Sequence, residues 1–221
     1  MKSLAHRRDS GRTRDALITA GTDLFARHGF EGTRVEQIAR KARINKAMIN
    51  YHFGGKAGLY RAILLSLFTP ALERIRVLRE SPEPADILLR SFVKDFSEMV
   101  ARQPSLPVMV VREALSGGRH LDRQVLPCFT AIFSVVREII EKGTRDRTFR
   151  QVDPLLTHLS LIGSLVFFFI TAPLRNRLIS EAHVRARNPE PEAYVRHVQD
   201  LMTRALAAEA PPAAPDDEDV T

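Results

Sequence analysis

The chain has 221 residues, 44% of them hydrophobic, and 33 Lys+Arg against 26 Asp+Glu give a formal charge of +7. That apolar share supports a real core and excludes general disorder. A lone cysteine, Cys128, excludes a disulfide framework or a multi-cysteine metal site and fits a reducing, cytoplasmic compartment.

Aromatic residues are only 7%, Trp is absent, and strand-like alternation is rare, so the fold reads as all-α. Residues 1–11 are polar and basic and read as a disordered arm carrying Arg7, Arg8 and, just beyond it, Arg12. They lack the apolar run of a secretory signal. Leu17, Ala20, Leu24 and Phe25 predict a first helix over about 13–28, stopped by Gly29. Thr33 and Glu36 form a T-x-x-E capping box for a short second helix. A break at Arg43–Ile44 follows, and Asn45 caps a third short helix over about 46–52.

The next predicted helix runs over about 56–79 and contains Pro70, which should kink it. Ser81-Pro82-Glu83-Pro84 breaks the chain, and helices follow over about 85–102 and 108–115. A longer one spans about 121–142, with Gly143 as its stop. Asp153 caps a helix with Pro154 at its first position, reaching Thr171. A short segment near 174–179 and a last helix over 190–209 complete the pattern. Residues 210–221, rich in Pro, Ala, Asp and Glu, read as a disordered acidic tail. The uncharged stretch between Asp153 and Arg175 approaches membrane-span length. Its hydroxyls, His158 and small residues suit a helix buried in protein, and no membrane partner is expected.

Charge sharpens this division. Residues 1–56 hold 12 Lys+Arg and five Asp+Glu, which accounts for the whole +7, so residues 57–221 are neutral. A polyanion partner therefore belongs to the first quarter. There, two short helices after a longer one form a helix-turn-helix. The third helix presents Asn45, Lys46, Ala47, Met48, Asn50 and Tyr51. Asn can pair with adenine, and Ala or Met can meet a thymine methyl. Arg12, Thr33, Arg43, Tyr51, His52 and Lys56 suit phosphate, with Thr33 and Lys56 at helix N-termini. Tyr51 and His52 have a competing core reading, expected to hold for one of them.

The run FEGTRVEQIARKARINKAMINYHFGGKAGLY (30–60) resembles the DNA-binding domain of TetR-family regulators. Gly32, Thr33, Val35, Ile38, Ala39, Ala42, Tyr51-His52-Phe53-Gly54, Lys56, Leu59 and Tyr60 carry the likeness. Arg43 replaces the usual turn glycine and should need a left-handed conformation. Gly55 replaces a usual Ser or Asn cap. The resemblance implies an all-α chain with an N-terminal three-helix helix-turn-helix domain and a C-terminal helical effector-binding and dimerisation domain. The divisions are 1–11 arm, 12–56 DNA-binding, 57–209 ligand-binding and dimerising, and 210–221 tail. Partners implied are a double-stranded operator, a second copy and a small, largely apolar effector that tilts the fourth helix. Helices 153–171 and 190–209 should make the dimer bundle.

Candidate pocket residues are Phe92, Phe96, Met109, Arg112, Glu113, Phe129, Phe133, His158 and Phe168. Of Phe167, Phe168 and Phe169, one each should face pocket, core and dimer. Arg112–Glu113 is either a surface or structural ion pair or a ligand anchor, and His158 has a core reading. No cofactor and no metal is expected: the histidines show no i,i+4 pair. Enzyme motifs fail, since Gly54-Gly55-Lys56 lacks the rest of a P-loop. An architectural DNA-binding protein without effector is the alternative, and a ligand-sized cavity discriminates the two.

Overall fold

The computed structural model describes residues 2–181 and 187–208, with side chains from residue 10 onward. The described residues form ten helices and one isolated bridge, Phe149 to Ala207. The acidic tail lies outside them. The helices are α1 (Lys2–Gly32), α2 (Val35–Ala42), α3 (Ala47–Phe53), α4 (Lys56–Glu80) and α5 (Ala85–Arg102). The rest are α6 (Ser105–Leu115), α7 (Leu126–Arg145), α8 (Pro154–Ile170), α9 (Ala172–Glu181) and α10 (Pro191–Leu206).

Two apolar cores organise them. The head core joins Leu17 and Phe25 of α1, Ile38 of α2, Ile49 of α3 and Leu59, Ile63 and Leu64 of α4. The body core joins Phe68, Ile75 and Leu78 of α4 to α5, α7, α8 and α10. Thus α4 is common to both, with its first half in the head and its second half in the body. Each fully buried Ile or Leu contributes about 1.5–3 kcal/mol. The helix passes through Pro70, which is exposed, as one element.

Four expectations are corrected. Residues 2–11 are helical, not a disordered arm, because they contain no proline and Gly11 alone costs only about 1 kcal/mol. The side chains of Arg7 and Arg8 lie outside the described set. Gly29 does break the helical path (φ 71°), but one further turn follows it. The cap of α2 is Arg34, not Thr33: the Gln37 side chain accepts the Arg34 N–H at 2.9 Å. The third case is α7, which begins at Leu126, not near 121, because Asp122 Oδ1 accepts the N–H groups of Gln124 and Val125 and folds that stretch as a turn. Fourth, Gly143 does not stop α7. A Cβ there would fall 2.1 Å from the Phe149 ring, so this glycine makes room for Phe149 to fold back.

No single helix among the described residues is long and apolar enough to cross a membrane; α8 and α9 pass that test only together, across a 56° bend.

Candidate nucleic-acid interface and interior cavity

The surface of α3 follows from its anchors. Ile49 and Phe53 are buried four residues apart, which turns Ala47, Asn50 and Tyr51 outward. Tyr51 is 74% exposed. Asn45 caps the turn that starts the helix, its side-chain oxygen accepting the Ala47 N–H at 2.9 Å. Met48 is half-buried and packs on the head core. His52 lies with Arg14, Phe53 and Arg61 in a groove between α1 and α4, and its Nε2 is buried with no hydrogen-bond partner among the described residues. Of Tyr51 and His52, His52 is therefore the packed one.

The turn before α3 has the expected strain. Arg43 is left-handed (φ 58°, ψ 39°), and the Ile44 N–H reaches back to the Ala39 carbonyl at 3.0 Å. A non-glycine residue pays about 1–2 kcal/mol for this conformation. Gly58 is required for a different reason: a Cβ there would lie 1.7 Å from the Phe53 carbonyl oxygen. Gly55 supplies no side-chain cap for α4.

Charge on this face is unevenly used. Lys41 and Arg27 pair with Asp23, and Lys46 pairs with Glu36 at 3.3 Å. The Lys41 hydrogen bond holds the Asp23 carboxyl below its usual range. Arg12, Arg34, Arg40 and Arg43 are exposed and in no ion pair among the described residues. Lys56 lies half-buried over the Phe30 ring, 4.4 Å from its centroid. Thr33 is corrected as a phosphate contact. It is buried, and its hydroxyl donates toward the Leu24 and Gly29 carbonyls at 3.1 and 2.7 Å.

Head and body meet at the end of α6. Arg112 donates to the Ala26 and Arg27 carbonyls (3.0 and 2.7 Å), near the end of α1. Glu113 is buried and accepts the Tyr60 hydroxyl of α4 at 2.6 Å. His120 stands between two carboxylates, 3.1 Å from Glu113 and 3.1 Å from Glu31. Burial and the Glu113 bond push the Tyr60 phenol far up, so it stays a donor. The His120 bond holds Glu31 below its usual range. Arg112 and Glu113 are thus not a mutual pair, and neither lines the apolar cavity inside the body.

Inside the body lies an apolar cavity of ≈ 80 Å³. Phe68 of α4, Phe96, Met99 and Val100 of α5, and Leu106, Pro107 and Val110 of α6 form part of its wall. Phe129 and Ile132 of α7 and His158, Ile162 and Val166 of α8 close it.

Two family models match. Residues 17–63 fit "Bacterial regulatory proteins, tetR family", and residues 86–203 fit "Tetracyclin repressor-like, C-terminal domain". The chain belongs to the TetR family. It is a DNA-binding transcriptional regulator with a helix-turn-helix head. It is 32% identical to the HTH-type transcriptional repressor NicS of Pseudomonas putida over 202 residues, 88% of this chain and 92% of that one. It is 26% identical to the HTH-type transcriptional regulator RutR of Escherichia coli over 139 residues, 63% of this chain and 65% of that one. A tetR-family regulatory protein from Rhodococcus RHA1 shares the fold, with a TM-score of 0.73 at 17% identity, covering 90% of this chain and 98% of that one.

For this TetR-family chain the cavity takes three of the nine expected pocket residues: Phe96, Phe129 and His158. Phe92 is core packing, and Met109 is fully buried on the head side. Phe133 sits behind the cavity, edge-on to His158 at 5.4 Å. Phe168 stacks on Tyr194 at 4.0 Å, with Arg175 over the ring at 4.2 Å. Phe167 is exposed, and Phe169 lines a separate cleft between α5 and α10. Cys128 is buried, which pushes its thiol up, away from redox reactivity. Sequence reasoning missed Phe68, Met99, Leu106, Pro107, Val110, Ile132, Ile162 and Val166. Helical period marked Phe68, Met99, Ile162 and Val166 as apolar-face residues, but nothing local said that a void lay beyond them.

Proposed function

We propose that the chain is a homodimeric repressor that grips a pseudo-palindromic operator and lets go when a small apolar effector enters the body. The observation that carries this reading is the outward face of α3. Lys46, Ala47, Asn50 and Tyr51 are exposed there, and Arg12, Arg34, Arg40 and Arg43 of the same head are exposed and in no ion pair among the described residues. Asn50 and Ala47 would read base edges, and the arginines would hold phosphates. NicS, a repressor by name, supports repression as the sign of control.

Dimerisation is supported by α8. Leu155, Leu156, Leu159 and Phe167 are exposed on it. At roughly 100° per residue they fall within one face of the helix. Leu201 of α10 adds an exposed apolar side chain. Two copies of α8 and α10 packed as a four-helix bundle would cover this surface and set two heads on one duplex, in the cytoplasm where DNA is found.

Release runs through α6. Leu106 and Val110 touch the cavity, and Arg112 and Glu113 on the same helix hold α1 and α4. From Leu106 to Glu113 is roughly 10 Å of rigid helix. A ligand that displaces α6 and α4 therefore moves the head, and DNA affinity falls by the coupling free energy.

The cavity volume favours a second reading. At ≈ 80 Å³ it is well under the roughly 300 Å³ of a usual ligand site, as an architectural DNA-binding protein would have. Selection of binding sites from random duplex DNA, followed by release with small apolar compounds, decides between them. Enriched palindromes that are released support the repressor. Enriched DNA that no such compound releases supports the architectural protein.

A further inference from the structure

The cavity wall has one polar side chain, His158; the other lining residues are aliphatic, aromatic, Met or Pro. Its Nδ1 is buried and has no hydrogen-bond partner among the described residues. A buried polar atom without a partner costs about 1–3 kcal/mol, so such an atom is a standing demand for a hydrogen bond. The Phe133 ring stands nearly perpendicular to the imidazole, 5.4 Å between centroids. No Lys, Arg, Asp or Glu lines the cavity. A charged ligand would be desolvated with no opposite charge built in to receive it.

We propose that the effector is an uncharged, ring-sized molecule with one hydrogen-bonding group, and that the His158 imidazole, the polar group in the cavity wall, selects it. This rests on the reading of the cavity as the effector site and narrows it to a ligand class. A hydroxyl suits the site best, because it donates to a bare ring nitrogen or accepts from a protonated one, whichever tautomer the imidazole adopts. Burial lowers the proton affinity of His158, which keeps the ring neutral and disfavours a carboxylate partner. An apolar cavity of about 150 Å³ holds benzene, so modest movement of Met99 or the surrounding rings admits one ring.

The test is calorimetric titration of the full chain, without DNA, with phenol, toluene and benzoate at neutral pH. The expected result is phenol about tenfold tighter than toluene, and benzoate weakest. His158→Phe should remove the preference while toluene still binds, and His158→Gln, which keeps a hydrogen-bonding side chain, should retain it. Ile162→Trp, which fills the cavity, should abolish both ligands. Equal binding of phenol and toluene, a phenol preference that survives His158→Phe, tighter benzoate, binding that survives Ile162→Trp, or no binding by any of the three would overturn the proposal. Phenol that binds as expected yet leaves selected DNA bound would uphold the ligand class at this cavity and instead sink the release reading.

Discussion

The head and the body each expose a surface that the other described residues leave uncovered, and the two are chemically opposite. On the head it is cationic: Arg34, Arg40 and Arg43 are exposed, as are Lys46, Asn50 and Tyr51. On the body it is apolar: Leu156, Leu159 and Phe167 are 64%, 58% and 66% exposed. Both interiors are apolar cores; the body's also lines a void. On the proposed reading each uncovered surface takes its own partner, a phosphate backbone for one and another apolar surface for the other. The polar knot of Arg112, Glu113, Tyr60 and His120 adds directional bonds to a junction that α4 and the Met109 side of α6 also make by apolar packing.

Breaking that knot should have the largest effect. Glu113→Ala leaves the Tyr60 hydroxyl buried without its acceptor and removes one of the two carboxylates at His120. It should cost about 3 kcal/mol in denaturant unfolding, and head and body should begin to melt separately. A single cooperative transition with an unchanged midpoint would mean that the knot couples nothing.

Next comes the reading face. Asn50→Ala should cost about 1–3 kcal/mol, confined to one base pair per half-site, as measured by competition with single-base operator variants. A loss spread evenly over all variants would reassign Asn50 to positioning. Arg43 gives a two-way result. Arg43→Gly should stabilise the head by about 1 kcal/mol, by relieving the left-handed strain, while DNA binding weakens. Its salt slope should fall by about 0.9. If stability and affinity move together, the strain is not the reason for the trade.

The smallest effect belongs to the body. His158 binds its proton less readily than a free imidazole because burial disfavours the charged ring. Unfolding therefore takes up a proton as pH falls, so this contribution to stability is full above about pH 6.5 and is lost below it. His158→Phe should flatten that part of the pH profile of the melting temperature. A profile as steep as that of the unsubstituted chain would locate the titration elsewhere.

Local signals were legible wherever local physics decides. Pro84 and Pro104 frame α5 (Ala85–Arg102) as expected, and Asp153 accepts the Leu155 and Leu156 N–H groups at 2.7 and 2.9 Å as a cap should. Arg43 takes the left-handed turn that its place in the motif required. What failed depends on distant partners. Glu113 looked like a surface or ligand-facing acid because its acceptor role is set by Tyr60, 53 residues earlier in the chain. Thr33 looked like a cap because its true partners are carbonyls of α1. Phe92, Met109 and Phe168 are buried as their spacing implied, but helical periodicity gives the buried face and not what lies against it. Phe167-Phe168-Phe169 divided between surface, core and a cleft as consecutive helical residues must, though none reached the central cavity.

The pairing of a cationic head with an apolar dimer face is tested most directly by the stoichiometry of the DNA complex. Sedimentation of the full chain with a selected duplex should show two chains per duplex, with affinity falling at least tenfold when one half-site is scrambled. Leu159→Lys, on the α8 face, should give a monomer with the same weak binding to either duplex. A single chain bound with full affinity, indifferent to the second half-site and to Leu159→Lys, would contradict the account.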